Sequence, residues 1–467
     1  MGAGSQEDVA LNDDRNGAGS PQHLSSKEVE ASMIETHVEP DAPKIIYYIF
    51  YLLGMGTLLP WNFFITADSY WNYKFRNASV DINNSTAEES KTELQYNFAA
   101  YLAVASMLPN TTFLTLNAIF AHKINQQLKL VVALSIVIVF FIFTTILVPI
   151  NSDSWQYSFF ALTMVVVVTL NVGAAVFQGG LFGLSAQFPS KYLSAVLSGQ
   201  ALGAVFACLC RIVSIAVAGE DAVAAAVNSA LVYFTLADIT LLISMVAFLW
   251  MTKTAFYQFY TSSHGTSSGK EGATITTALS GKKPSINVWK VFLKIKWYAL
   301  SVCLVFVVTL AMFPAITAKI RPMYTGTKEH PSIWARDYFV PVCCFLLFNL
   351  TDYLGRIAGG YTVWPKKHHW YFVLLLVALR VVFVPLFMYC HIDHKNLTTV
   401  FNHDAYYIIF MTFFGLSNGY LATLCMIYGP GCVEPEEQNT ASSMMAAFLG
   451  VGLCLGALFS NVTIKII

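Results

Sequence analysis

Apolar blocks of about 20 residues recur eleven times along this chain, and a helix needs about that length to cross the hydrocarbon core of a bilayer. The blocks run roughly over residues 45–67, 96–120, 129–150, 157–184, 193–217, 228–252, 297–319, 337–362, 371–391, 404–429 and 440–464. Inside lipid no water serves the backbone, so each block must satisfy its own N–H and C=O groups as a helix. The alternating pattern of a membrane β-barrel is absent. Charged residues make up only 12% of the chain, against about 25% in ordinary soluble domains. The expected fold is therefore an all-α polytopic membrane protein of about eleven helices.

The blocks fall into a group of six and a group of five. Residues 1–44 are polar and read as a disordered tail, and residues 45–252 as a six-helix bundle with an outer loop at about 68–95. A hydrophilic linker is expected over 253–296 and a five-helix bundle over 297–467. Asn77, Asn83 and Asn84 each begin an Asn-x-Ser/Thr sequence, so they are glycosylation candidates that put the first loop outside. An odd number of crossings then places the N-terminus in the cytoplasm and the C-terminus outside. Basic residues in the early inner loops agree with that orientation. The loop near 320–336, which carries Lys319, Arg321, Lys328 and Arg336, runs against it.

Equal numbers of basic and acidic residues, 27 of each, give no net charge for a nucleic-acid partner. Eight of the nine cysteines lie in apolar blocks, where they read as small hydrophobes rather than a disulfide scaffold. No phosphate loop, dinucleotide fingerprint, zinc-spaced ligand set or nucleophile elbow occurs. Enzymatic activity, a metal, a cofactor and ATP-driven pumping are therefore not expected. Glycine pairs four apart at 179/183, 199/203, 355/359, 415/419 and 452/456 each put two glycines on one helix face, where helices approach closely.

Ionisable residues at membrane depth are costly and mark functional sites by default. Asp352 and Arg356 lie four apart and share a helix face with Asn349. They read either as a site or as a lock between helices. Arg380 reads as paired structurally within the bundle, and Arg211 lies nearer a helix end. Gln178 offers both a donor and an acceptor, which suits the edge of a nucleobase or an interhelical bond. Trp61 reads either as an interfacial anchor or as a stacking surface for a planar ligand.

Several segments in order resemble the equilibrative nucleoside transporters: Gly56–Ala67, Gln178–Gly183, Ser198–Gln200, Met312–Ala315, Phe348–Arg356 and Ser417–Leu421. The likeness covers about residues 45–467. It implies a major-facilitator-like fold of six plus five helices around a central cavity, and sodium-independent facilitated diffusion of nucleosides, and of nucleobases in some members. By the same resemblance Leu58 and Trp61 would lie against the base and Gln178 on its edge. Asp352 and Arg356 would hold the ribose hydroxyls beside Asn349. Met107, Phe345 and Leu453 would supply apolar wall, and Ile65, Phe313 and Pro314 would lie toward an outer gate.

Three positions depart from the family pattern: Ile65, where members vary between Met and Ile; Asn110, where an apolar residue is usual; and Ala201, where Gly is usual. Tyr70-Trp71 and Tyr101–Ser106 are similar to the lysosomal branch, yet the tail lacks that branch's acidic dileucine signal. A plasma-membrane location is expected, with a lysosomal or endosomal membrane as the alternative. The partners implied are nucleosides such as adenosine and uridine together with the lipid bilayer, without nucleic acid or an obligate protein partner. A sugar or other small-solute facilitator of the same architecture, or a receptor or scaffold that binds without translocating, are the rival functions.

Overall fold

In a computed structural model, the described residues are 43–77, 92–120, 124–217, 222–266, 287–324, 332–362, 364–392, 398–466. They form α1 (Lys44–Thr66), α2 (Asp68–Lys74), α3 (Glu93–Phe120), α4 (Gln126–Leu147), α5 (Gln156–Ser185), α6 (Ser190–Val217) and α7 (Ala222–Met251). After these come α8 (Ala255–Thr266), α9 (Val288–Met312), α10 (Leu347–Thr362), α11 (Trp370–Leu379), α12 (Phe383–Met388), α13 (Asp404–Gly431) and α14 (Gln438–Ile466). Ten helical stretches are long and apolar enough to span a membrane, and the apolar part of α1, Lys44–Leu59, is a shorter eleventh.

Local chemistry explains how these helices start and how their polar residues survive in lipid. Asn125 caps α4 by accepting from the amides of Gln127 and Leu128, and Asn287 caps α9 through Trp289 and Lys290. Such caps serve amides that have no intrahelical acceptor. Within spans, Thr163, Thr240 and Ser244 donate to carbonyls four residues back. Each hydroxyl is thereby satisfied without water.

Two boundaries differ from the sequence expectation. The segment expected as polar linker contains α8, because Phe256 and Tyr257 find an apolar seat against Phe188 and Tyr192. The seventh crossing begins at Val288, inside the same expected linker. The eighth crossing opens with wide π-helical turns over Trp334–Tyr338 and Val340–Leu346, around Pro341, which has no N–H to give to a regular ladder.

The packing repeats with a period of six crossings. α1 packs on α6 and α3 on α5; six crossings later α9 packs on α14 and α10 on α13. The two groups meet where α3 lies against α14 and α6 against α10. Glycines permit the tightest approaches. A Cβ on Gly199 would lie 2.0 Å from the Tyr51 carbonyl oxygen, and one on Gly452 would lie 2.4 Å from that of Cys303. Alanine at either place would force two backbones apart.

Successive crossings run antiparallel, so one end of the molecule, here the near face, holds the start of α1. Lys294–Glu437 and the Lys367–Gly431 carbonyl bond tie loops together there. At the far face Arg76 pairs with Asp153, and Lys74 donates to the Ile150 carbonyl over the rings of Tyr70 and Phe159. Burial pulls the Lys74 ammonium below its ordinary pKa, with Asp153 acting in the opposite sense. Asn77 is exposed at this face, whereas Asn83 and Asn84 fall outside the described residues. Peptide-N-glycosidase treatment should sharpen and speed the band of the cell-expressed protein on a gel. An unchanged band would place this loop on the untreated, cytoplasmic side or leave its sequons unused.

Candidate substrate site

Asp352 and Arg356 are buried on α10, one helical turn apart. The Arg356 Nε donates to Asp352 Oδ2 at 2.8 Å. Of the ion pairs among the described residues, this one alone is buried on both sides, at 9% and 6% side-chain exposure. Two bare charges would be expensive there, since desolvation costs several kcal/mol per ion, on the order of what their attraction returns. Further hydrogen bonds make up the difference, and they come from both groups of helices.

From α13, Asn418 Nδ2 donates to Asp352 Oδ1 at 2.6 Å. From α6, the Leu197 carbonyl accepts from Arg356 Nη1 at 3.0 Å and Gln200 Oε1 at 3.4 Å. Gln200 in turn donates to Thr57 on α1 at 2.8 Å. The result is a continuous buried polar chain, Thr57–Gln200–Arg356–Asp352–Asn418, running from the first crossing to the tenth. Every member is at most 7% exposed.

Glycines set this geometry. A Cβ on Gly419 would fall 1.9 Å from the Asp352 carbonyl oxygen, and one on Gly355 would fall 2.2 Å from that of Leu416. Bare backbones at both positions let α13 settle onto α10, which brings the short Asn418 side chain to the carboxylate. On the other side, Gly54 and Gly199 do the same for α1 and α6, with virtual Cβ contacts of 2.2 Å and 2.0 Å. Gln200 is the residue next to Gly199 and reaches Thr57 for that reason.

Between the two groups, hydrogen bonds concentrate toward the near face. The Tyr51 hydroxyl donates to that of Tyr353 at 2.7 Å. Ser442 and Ser443 donate to the carbonyls of Phe182 and Gly179, and Thr111 donates to that of Gly450. Asn349 bridges toward α6 through Cys208 Sγ at 3.3 Å while also holding the Phe345 carbonyl. A Tyr51→Phe change removes one such bond, worth about 1 kcal/mol. It should leave folding intact and alter uptake by less than about tenfold. A larger loss in a liposome flux assay would mean that the hydroxyl does more than join the halves.

The remaining sequence candidates are placed as follows. Gln178 is 5% exposed on α5, in the stretch whose glycines meet Asn117 on α3 and Asn439 and Ser443 on α14. Leu58, Trp61, Met107, Phe345 and Leu453 are half-buried. Trp61 and Leu453 pack on the main apolar core. Phe313 stacks on Phe348 with ring centres 4.1 Å apart, edge-on to Phe345, while Pro314 is exposed. The Ile65 side chain lies outside what the structure describes.

Sequence reading passed over several groups. Asn418 lay in a quoted segment without a role, although its amide joins the ion pair. Arg380 does have structural partners, Asn418 Oδ1 at 3.2 Å and Thr309 Oγ1 at 2.9 Å. Asp238 on α7 accepts the Thr145 hydroxyl at 2.6 Å. Its other oxygen, like the Lys129 ammonium, is buried without a partner among the described residues. Each interrupts an apolar run with one ionisable residue, the only signal available in sequence.

The family model described as "Nucleoside transporter" matches residues 162–465. The human protein named equilibrative nucleoside transporter 1 is 35% identical over 463 aligned residues, covering 92% of this chain and 98% of that one. The chain belongs to the nucleoside transporter family. Human equilibrative nucleoside transporter 2 is 36% identical, with 90% of this chain and 98% of the relative covered. Rat equilibrative nucleoside transporter 3 is 32% identical, with 88% and 87% covered.

The fold of this family member is that of the major facilitator superfamily. A proton:xylose symporter of that superfamily, bound to 6-bromo-6-deoxy-D-glucose, superposes with a TM-score of 0.55 over 93% of this chain and 90% of its own, at 9% identity. An E. coli fucose:proton symporter gives a TM-score of 0.50 over 90% and 96%, at 11% identity. The chain is thus a transporter by family, and its helical fold is shared with these symporters.

Proposed function

We propose that this chain carries nucleosides across a membrane down their gradient, by exposing one site alternately to either side. The observation that carries the reading is the buried polar chain from Thr57 to Asn418, which draws its members from both helix groups. A nucleoside has a planar face and a hydroxylated face, so it needs apolar wall and a few convergent polar groups. Leu58, Trp61, Met107, Phe345 and Leu453 are the proposed wall, with Gln178 at the base edge. Asp352, Arg356 and Asn349 are proposed to take the ribose hydroxyls, and Ile65, Phe313 and Pro314 to form an outer gate.

Residues 45–252 and 297–467 are proposed as the two moving halves, and the packing repeat of six crossings supports that division. Hydrogen bonding between the halves toward the near face fits a state closed on that side. With the N-terminus in the cytoplasm the near face is the inner one, and the plasma membrane is the proposed location. The names of the relatives support a nucleoside as cargo.

The test is uptake of radiolabelled uridine and adenosine into liposomes containing the purified protein, without sodium and at two pH values. Saturable uptake that stops when inner and outer concentrations match is the expected result. Competition by glucose but not by adenosine would point to a sugar facilitator instead.

A further inference from the structure

Arg380 is among the largest side chains fully sealed in the core, at 2% exposure, yet it makes none of the ion pairs found among the described residues. It sits where α11 gives way to a 3-10 turn over Arg380–Val382. Its guanidinium lies 4.8 Å from the centre of the Phe414 ring, with Nη2 also 3.4 Å from the Phe414 carbonyl. Keeping a permanent cation there is costly, so its neighbours show what it secures.

Both of its directed side-chain bonds act on one amide. Arg380 Nη1 donates to Asn418 Oδ1, and Arg380 Nη2 donates to Thr309 Oγ1. Thr309 also lies 2.7 Å from Asn418 Oδ1. An amide has one oxygen end and one nitrogen end. With donors from α9 and Arg380 crowding the oxygen, the nitrogen must face the other way, toward Asp352. That orientation produces the 2.6 Å bond to Asp352 Oδ1, while Arg356 holds Oδ2. Each carboxylate oxygen keeps lone-pair capacity in a fixed direction.

We infer that Arg380 is a positioning residue: acting through Asn418, it sets the plane of the Asp352 carboxylate and thereby the preference for nucleosides that carry ribose hydroxyls. This inference rests on the reading of Asp352 as a ribose ligand. The positive charge of Arg380 stays out of reach of the cargo, and its effect is on the direction of an acceptor. A purely structural Arg380 would hold α9, α11 and α13 together without bearing on which nucleoside is preferred.

The experiment compares initial uptake of uridine and 2′,3′-dideoxyuridine in liposomes carrying the wild type, Arg380→Gln or Thr309→Val. For Arg380→Gln the expected change is a KM for uridine raised about tenfold, the loss of one charge-assisted hydrogen bond, with the maximal rate little changed. The KM for 2′,3′-dideoxyuridine should stay nearly constant, so the preference between the two collapses. Thr309→Val removes the second donor and should shift the preference the same way by a smaller factor.

Equal losses for both nucleosides, or an intact preference in the variants, would overturn the positioning role. If Arg380→Gln does not insert, the Thr309→Val pair of KM values decides in the same manner. A wild type that transports both nucleosides equally well would remove Asp352 as reader of the ribose hydroxyls, and the inference with it. No saturable uptake by the wild type would instead sink the transport reading itself.

Discussion

Alanine at Arg356 is expected to abolish saturable uridine uptake and to lower the melting temperature of the purified protein markedly. The change strips Asp352 of its nearest cation and leaves the Leu197 carbonyl and Gln200 short of a donor. Removing one partner of a buried pair costs about 3–5 kcal/mol, because the other charge is stranded. Lost uptake alone would therefore not separate a site from a lock.

Arg356→Lys makes the separation. Lysine keeps the charge beside Asp352 but cannot reproduce a planar fork with several fixed donors. The fold should survive, with a melting temperature near that of the wild type, while uridine uptake falls at least about tenfold, the equivalent of 1.4 kcal/mol. Near-normal uptake by a well-folded Arg356→Lys protein would remove Arg356 from the cargo's path and leave it as a lock. Asp352→Asn complements this test. It strands Arg356 without its counter-charge, and flux should drop further than for Arg356→Lys.

The second large effect is expected at Gly419. Its virtual Cβ lies 1.9 Å from a backbone oxygen of α10 and 2.8 Å from the Arg356 amide nitrogen. Neither atom is the end of a flexible side chain, so the helices themselves must separate. Overpacking costs about 1–3 kcal/mol where neighbours can yield, and more where they cannot. Gly419→Val should leave little monodisperse protein after detergent extraction. Gly419→Ala should fold but lose uptake, because α13 is displaced and Asn418 moves off Asp352. A Gly419→Ala protein with wild-type flux and stability would show that the close approach of α10 and α13 is not required.

The crossings were legible because lipid imposes a simple rule: a block long enough and apolar enough has no alternative to a helix. The glycine pairs were legible for a related reason, since four-residue spacing puts them on one face whatever the partner. Asp352 and Arg356 were visible as charges where charge is rare. What joined them to Asn418, Thr309 and Arg380 was hidden. Those residues lie on four different helices, and their meeting depends on how each helix is rotated about its axis, which no local spacing records. The helix α8 was hidden differently. Its aromatic residues stand among Ser, Thr and Gln, and only the apolar seat at Phe188 and Tyr192 gives them a reason to order.

The seam between the helix groups is sewn in part by serine and threonine hydroxyls on backbone carbonyls, as at Ser442–Phe182, Ser443–Gly179 and Thr111–Gly450. Groups of that kind lose little when water replaces their partner, about 0.5–1.5 kcal/mol each. On the alternating-access reading, parting the two groups is then an exchange of neighbours within reach of thermal agitation, and a machine fastened this way needs no fuel to loosen its seam.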